Sequence, residues 1–264
     1  MNKFNFLATA NKSILETSAP VDFSIQATKV HNEHICQSHN LTLGEPSNTT
    51  YVAAPIYSTN KFMAQAIVNP ANKNLTVRTV SRPVSSLKVG TTSTHTLKEH
   101  SYQLEGEFAH KNLNLSAVYS PNFTAASTAV GNNKLQVGAE LIHLNQNKVN
   151  MWMIGSKVDC NNSTTVLTCS SQQNISASYS HKLTQNIIAA AELQYGIKSK
   201  HICVTAGVDA NIADFHINSH IDSAGRAGFN VTKQLNDKIT FTAGVEGLLD
   251  QLNFRPGVSF ELSL

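Results

Sequence analysis

Phe254-Arg255-Pro256-Gly257-Val258-Ser259-Phe260-Glu261-Leu262-Ser263-Leu264 closes the chain, and its residues alternate. Phe254, Pro256, Val258, Phe260, Leu262 and Leu264 are apolar, whereas Arg255, Gly257, Ser259, Glu261 and Ser263 are polar or small. A period of two puts these sets on opposite faces of a β-strand, where a helical period of 3.6 would mix them. The preceding stretch repeats the pattern, with Ile239, Phe241, Ala243 and Val245 against Lys238, Thr240, Thr242, Gly244 and Glu246. Further back come Ala227, Phe229 and Val231, then Phe215 and Ile217, then Ile202, Val204, Ala206 and Val208. Tyr102, Leu104 and Phe108 oppose Gln103, Glu105 and Glu107, and Leu135, Val137, Ala139 and Leu141 continue the series. The alternation blurs around Val149-Asn150-Met151-Trp152-Met153-Ile154 but does not change period. From about Val21 to Leu264 the chain therefore reads as short strands separated by breaks containing Asn, Ser, Lys or Pro.

Composition limits what the oily faces can meet. The 264 residues are 41% hydrophobic and only 14% charged, against about 25% charged in an ordinary globular protein. The longest apolar runs, such as Ile187-Ile188-Ala189-Ala190-Ala191, fall far short of the ~20 residues that carry a helix across a bilayer. Recurring Val, Ile, Leu and Phe, with no block of like charge, exclude a disordered chain. Two architectures remain. A soluble sandwich or barrel buries its oily face against a second layer. A transmembrane barrel turns it to lipid, using strands of about 9–11 residues and a polar lumen. Strand length and a polar face made mostly of Asn, Ser, Thr and Gln agree with the second.

Residues 1–20 form a separate N-terminal segment before a barrel spanning 21–264. Phe4, Leu7, Ala8 and Leu15 can share a helical face that Pro20 would end; an unstructured lead fits equally well. Met1 to Ala10 has no apolar core of the secretory kind. Cys36, Cys160, Cys169 and Cys203 show no disulfide or metal-binding spacing, which points to a reducing compartment. A net charge of +3 with scattered lysines gives no basis for nucleic-acid binding.

No phosphate loop, nucleophile elbow, dinucleotide fingerprint or zinc-protease motif is present, so no catalytic residues, metal or cofactor are expected. His31, His34 and His39, with Glu33, and the pair His216 and His220, read better as polar wall than as metal ligands. The acidic residues are more informative. Glu105, Glu107, Glu140, Glu192, Asp209, Asp214 and Glu246 fall on polar faces, which in a barrel means the lumen. Carboxylates lining a wet channel attract cations and basic peptides. Lys134, Arg226 and Lys238, on the same faces, would offset part of that charge.

Residues 255–262 resemble the insertion signal of mitochondrial outer-membrane barrels, which reads polar, any, Gly, any, any, apolar, any, apolar; its carriers here are Arg255, Gly257, Phe260 and Leu262. Pro256 is a departure expected to weaken the strand's hydrogen-bonding edge. Val30-His31-Asn32-Glu33-His34-Ile35-Cys36-Gln37-Ser38-His39-Asn40-Leu41-Thr42-Leu43, with Asn48-Thr49-Thr50-Tyr51, resembles the first two strands of the Tom40 family, the pores of the mitochondrial preprotein translocase. Tyr102–Phe108, Leu135–Leu141, Ala177–Lys182, Ser219–Ser223 and Val231–Leu235 are similar to that family in order and spacing.

The resemblance implies a barrel of about 19 strands, first and last paired in parallel, with a short N-terminal helix in the lumen. It implies a channel passing unfolded preproteins from the cytosol, assembled with other copies of itself, small helical subunits and receptor subunits. By motif match it implies presequence contacts at Glu105, Glu107, Glu140 and Glu192; Asp209 and Glu246 join them on alternation alone. The short lead and sparse glycine point to the outer membrane of a reduced mitochondrion, a mitosome or hydrogenosome. The alternative is a metabolite porin of the voltage-dependent anion channel type, which Ser86-Leu87-Lys88-Val89 resembles at its nucleotide-interacting strand start, though the glycine is missing. A soluble β-rich binding protein is the third class.

Overall fold

A computed structural model describes residues 12–15, 20, 22–43, 49–97 and 99–264. Nineteen strands follow one another. They are β1 (Asp22–Val30), β2 (Ile35–Leu43), β3 (Thr50–Ser58), β4 (Phe62–Asn69), β5 (Asn74–Val84), β6 (Leu87–His95), β7 (His100–His110), β8 (Leu113–Tyr119), β9 (Phe123–Gly131) and β10 (Leu135–Leu144). There follow β11 (Val149–Asp159), β12 (Ser163–Ser170), β13 (Asn174–Lys182), β14 (Ile187–Gly196), β15 (His201–Ile212), β16 (Phe215–Asp222), β17 (Arg226–Asn236), β18 (Ile239–Leu248) and β19 (Asn253–Ser263). The blurred stretch from Val149 is thus an ordinary strand. Each strand pairs antiparallel with the next, and β1 closes the sheet on β19. One helical turn, α1 (Lys12–Leu15), precedes them; Phe4, Leu7 and Ala8 lie outside the described residues.

An odd strand count dictates the seam. Antiparallel neighbours reverse direction at every step, so the first and nineteenth strands run the same way and meet in parallel, in register from Asp22 opposite Gly257 to Thr28 opposite Ser263. Pro256 sits one residue before that register begins, so every residue of β19 in the seam has an N–H to donate; the expected weakening of this edge does not arise. On the outer surface Phe260 lies between Phe23 of β1 and Phe241 of β18, with ring centroids 6.1 and 5.1 Å away. Aromatic contact therefore spans both sides of the last strand.

Register assigns every strand residue to one of two faces. The outer face carries Leu104, Val137, Leu141, Ile154, Leu167, Leu193 and Val204, all exposed. Among the described aromatic residues only Phe123 points inward; Tyr51, Tyr102, Tyr119, Trp152 and Tyr195 lie outside toward one end of the barrel, and Tyr57, Phe62, Phe108, Tyr179 and Phe215 toward the other. Two aromatic girdles flanking an apolar band mark a surface built for a bilayer. The concave inner face is crowded: Val118, Val166, Ser178, Ser180, Asn218 and Asn230 are all buried there.

Some residues fall elsewhere than alternation suggested. Lys134, Asp214 and Lys238 are turn residues, not lumen wall. Alternation locates a face but not the point where a strand stops. His31 and His34 likewise sit at the turn between β1 and β2. His39 faces outward, stacked on Tyr51. His216 and His220 do face the lumen.

The Asn-rich breaks are explained by the turns. Asn32 Oδ1 accepts from the N–H groups of His34 and Ile35, and Asn132 Oδ1 accepts from those of Lys134 and Leu135. Such local bonds close a hairpin without glycine.

Where glycine is indispensable is Gly257. A Cβ there would strike the backbone carbonyl of Pro20 and lie 2.9 Å from the carbonyl oxygen of Asp22, because the lead enters the barrel across this point. Gly257→Ala should therefore destabilise the barrel by about 1–3 kcal/mol. Gly106→Ala, whose Cβ meets nothing within 4 Å, should not; urea unfolding of the two variants from detergent micelles measures the difference.

Candidate functional site

The lumen is the one continuous polar surface that this fold encloses. Nineteen strands tilted near 40° at ~4.8 Å spacing give a barrel roughly 35–40 Å across between backbones, and inward side chains leave a passage wider than the ~10–12 Å of a helix. Turns after odd-numbered strands open on the mouth that carries the C-terminus, and turns after even-numbered strands open on the opposite mouth.

Six of the seven acidic residues expected on the wall face inward, Asp214 lying in a turn: Glu105 and Glu107 on β7, Glu140 on β10, Glu192 on β14, Asp209 on β15 and Glu246 on β18. Their environments differ. Glu107 accepts from Lys88 Nζ at 3.1 Å. Asp209 lies 2.9 Å from His216 Nε2 and also accepts from Asn218 Nδ2 at 3.3 Å. Glu246 has Arg255 as its register partner on β19. By contrast Glu105 accepts from Gln103 Nε2 at 2.8 Å and Glu192 from Ser176 Oγ at 2.9 Å, both neutral donors.

Among the described residues no cation pairs with Glu105, Glu140 or Glu192. These three occupy the middle of their strands and so lie near mid-height along one arc of the lumen wall, from β7 to β14. At three and four strands apart, successive members are about 15–20 Å from each other along the wall, beyond the ~8–10 Å screening length of physiological salt. They are separate stations, not one cluster.

The wall's cations are distributed along the lumen: Arg78 faces inward at mid-height of β5, Arg226 and Arg255 at the mouth opposite the C-terminus, and three lysines at the C-terminal mouth. Lys88, Lys157 and Lys182 lie inward at that end of β6, β11 and β13. Lys157 is buried in the wall, 2.7 Å from Asp159, whose other carboxylate oxygen accepts from Thr164 Oγ1 at 2.6 Å. Lys88, the residue through which the chain resembles the anion-channel strand start, is held by Glu107. Among the described residues no group of three or more His, Cys, Asp or Glu could hold a metal.

Alternation did not disclose the place where α1 rests. Ile14 and Leu15 are buried with Ala190, and Ile188 packs beside them. Ile188 and Ala190 are inward residues of β14, opposite Asp209 and Gly207 of β15. The Ile14 carbonyl oxygen comes within 2.5 Å of where a Gly207 Cβ would be. A cavity of about 550 Å³ opens beside the turn, bordered by Ile14, Lys157, Ser180, Lys182, Ile188 and Asp209. The sequence signal was present: Ile187–Ala191 is apolar on both faces, where a strand between lipid and water should alternate.

Residues 4–259 match the model of the eukaryotic porin family. None of the curated proteins matches the chain in sequence. Among solved structures, a triple mutant of the Rhodopseudomonas blastica porin superposes with a TM-score of 0.55 at 6% identity, covering 74% of this chain and 88% of that one. A five-substitution mutant of the same porin gives 0.54 at the same identity and coverage. At such identity the likeness concerns the fold alone.

The mid-height carboxylates generate a direct expectation for ion selectivity. If each favours cations by about 0.3 kcal/mol, Glu105→Gln/Glu140→Gln/Glu192→Gln should lower the potassium-to-chloride permeability ratio roughly fourfold. Lys88→Met/Glu107→Gln, which removes a compensated pair, should leave it unchanged. Reversal potentials across a salt gradient decide, and an unaltered ratio in the triple variant would remove the acidic path.

Proposed function

Because the chain belongs to the eukaryotic porin family, a family of channels and not enzymes, we propose that it is the protein-conducting pore of the mitochondrial outer-membrane translocase. Unfolded preproteins would enter from the cytosol and pass through the lumen with their basic presequences leading. The observation that supports this reading best is the set of three carboxylates, Glu105, Glu140 and Glu192, that have no cation partner among the described residues, at mid-height in a passage wide enough for a helix.

Solvated ion pairs contribute about 0–1 kcal/mol each, so a basic segment would be held by several weak contacts in series and released without covalent chemistry. Glu107, Asp209 and Glu246 contribute less on this account, since each already has a basic or potentially basic neighbour. Arg255, Gly257, Phe260 and Leu262 would form the insertion signal that delivers the barrel to the membrane. The proposed setting is the outer membrane of a reduced mitochondrion, with small helical subunits, receptor subunits and other copies of this chain as partners.

Lys157 and Lys182 at the C-terminal mouth favour a second reading, a metabolite porin of the voltage-dependent anion channel type. Electrical recording of the purified, reconstituted protein separates the two. The import reading predicts cation preference and voltage-dependent block by a basic amphipathic presequence peptide. Anion preference without peptide block would replace it with the metabolite porin.

A further inference from the structure

We infer that the outer face of β1–β4 is the docking site of a membrane-spanning helix from a partner subunit, with an amide side chain of that helix set against Gln37 and His39. The site lies on the lipid side of the wall and holds whichever solute the lumen passes; it also gives the helical partners of the import reading a place on the barrel.

Side chains that face lipid near the middle of a strand should be apolar or carry at most a group, such as a hydroxyl, that can bond nearby. Within two residues of each strand's centre, three outward side chains among the described residues carry an amide, an imidazole or a charge: Gln37, His39 and Lys233. Lys233 is accounted for, since its Nζ lies 4.6 Å from the centre of the Phe215 ring in the girdle. His39, the central residue of β2, uses Nδ1 on the Tyr51 hydroxyl at 2.5 Å. Its Nε2 and the whole Gln37 amide have no protein partner among the described residues, and an unpaired polar group is costly in hydrocarbon.

The sheet is short of a hydrogen bond at the same place. β3 pairs with β4 at Ala53–Val68 and again from Ile56–Gln65; between them stands Pro55, the register partner of Gln37, with no N–H to donate. A side-chain amide both donates and accepts, so one from a neighbour can serve Gln37, His39 and a backbone acceptor left free beside Pro55.

The relief suits a helix. Outward side chains around the pair are small: Ala27 on β1, Ala53 and Pro55 on β3, Ala64 and Ala66 on β4. Ala27 to Ala66 spans three strand spacings, about 14 Å, against the ~10–12 Å diameter of a helix. Tyr57 and Phe62, with ring centroids 6.4 Å apart, close one end, and Tyr51 closes the other. Small residues let a helix approach closely and polar side chains fix it there, because lipid and leucine offer no hydrophobic difference.

The rim charges offset one another. Lys29, exposed near the end of β1, and Lys61 in the β3–β4 turn stand with Glu33 in the β1–β2 turn and the Leu264 carboxylate, whose oxygen accepts from the Val30 N–H at 3.4 Å. A second copy meeting this face about a two-fold axis would set these groups against themselves, Lys29 toward Lys29. A neutral helix with a central amide avoids that opposition.

The experiment uses the full chain in liposomes with a synthetic helix of about 20 leucine and alanine residues, bearing a photoreactive leucine analogue and either a glutamine or a leucine at its centre. Crosslink yield against peptide concentration should show the glutamine helix binding about three- to tenfold more tightly, with crosslinks on β1–β4. Gln37→Leu/His39→Leu should erase that preference, whereas Thr79→Val/Thr91→Val, whose outward hydroxyls already bond each other at 2.7 Å, should keep it. Without any helix, Gln37→Leu/His39→Leu should unfold at higher urea than the parent, which separates lost binding from lost fold. Equal binding of the two helices, or a preference that survives in Gln37→Leu/His39→Leu, would overturn the site. In a cysteine-free background, Ala53→Cys linking copies of the chain at the expense of the helix would overturn it in favour of self-association. Ion selectivity and peptide block are read separately, so failure here leaves the import pore standing.

Discussion

A backbone in lipid must satisfy its own hydrogen bonds, because no water is available to take them. The rest of this structure follows from that constraint. Nineteen strands leave no free edge only if the first and last pair in parallel. The last strand therefore serves two unlike neighbours, antiparallel β18 and parallel β1. Its residues divide the work: Phe260 makes ring contacts to both neighbours outside, and Gly257 leaves room inside for the lead to enter at Pro20. Pro256, lacking an N–H, stands just before the parallel register, where its missing donor does the seam no harm.

The two faces follow from the same closure. Outside, exposed aliphatic side chains lie between girdles of aromatic residues. Inside, hydroxyl and amide side chains keep the lumen wet, and charge is sparse. Much of that charge is compensated locally, as in Lys88 with Glu107 and Lys157 with Asp159. Among the described residues Glu105, Glu140 and Glu192 remain at mid-height without a cation partner, too far apart to act as one site, and Arg78 faces the lumen at a similar level. Weak stations in series suit passage of a long chain better than capture of a small molecule, because no single contact need be broken at great expense.

The faces were legible in the sequence because side-chain direction in a strand repeats every two residues, a local property. All six lumen acids and the outward set of the last strand follow from it. Pairing is not local. That Glu107 is compensated while Glu105 is not depends on which residues of β6 stand opposite, and alternation carries no register between strands. Strand ends were misjudged at Lys134, Asp214 and Lys238 for a related reason: asparagine and lysine serve equally in a polar face and in a turn. Lys111 and Lys148 even occupy positive φ, at 46° and 52°, where glycine would have announced the turn. The patch beneath α1 was marked by the doubly apolar run Ile187–Ala191, but its meaning needed the helical turn lying upon it.

Closure through the parallel seam is the central claim, and a directed disulfide tests it most directly. Ser24 and Ser259 are inward register partners across β1 and β19, at a strand spacing of about 4.8 Å that falls within the range a disulfide spans. With Cys36, Cys160, Cys169 and Cys203 replaced, Ser24→Cys/Ser259→Cys in bilayers should crosslink on mild oxidation and migrate as a closed loop on non-reducing gels. Ser116→Cys/Ser127→Cys, an antiparallel pair whose hydroxyls are 2.6 Å apart, serves as the reference. Crosslinking of both pairs is the predicted result; a reference that links while the seam pair stays reduced would contradict the closed barrel.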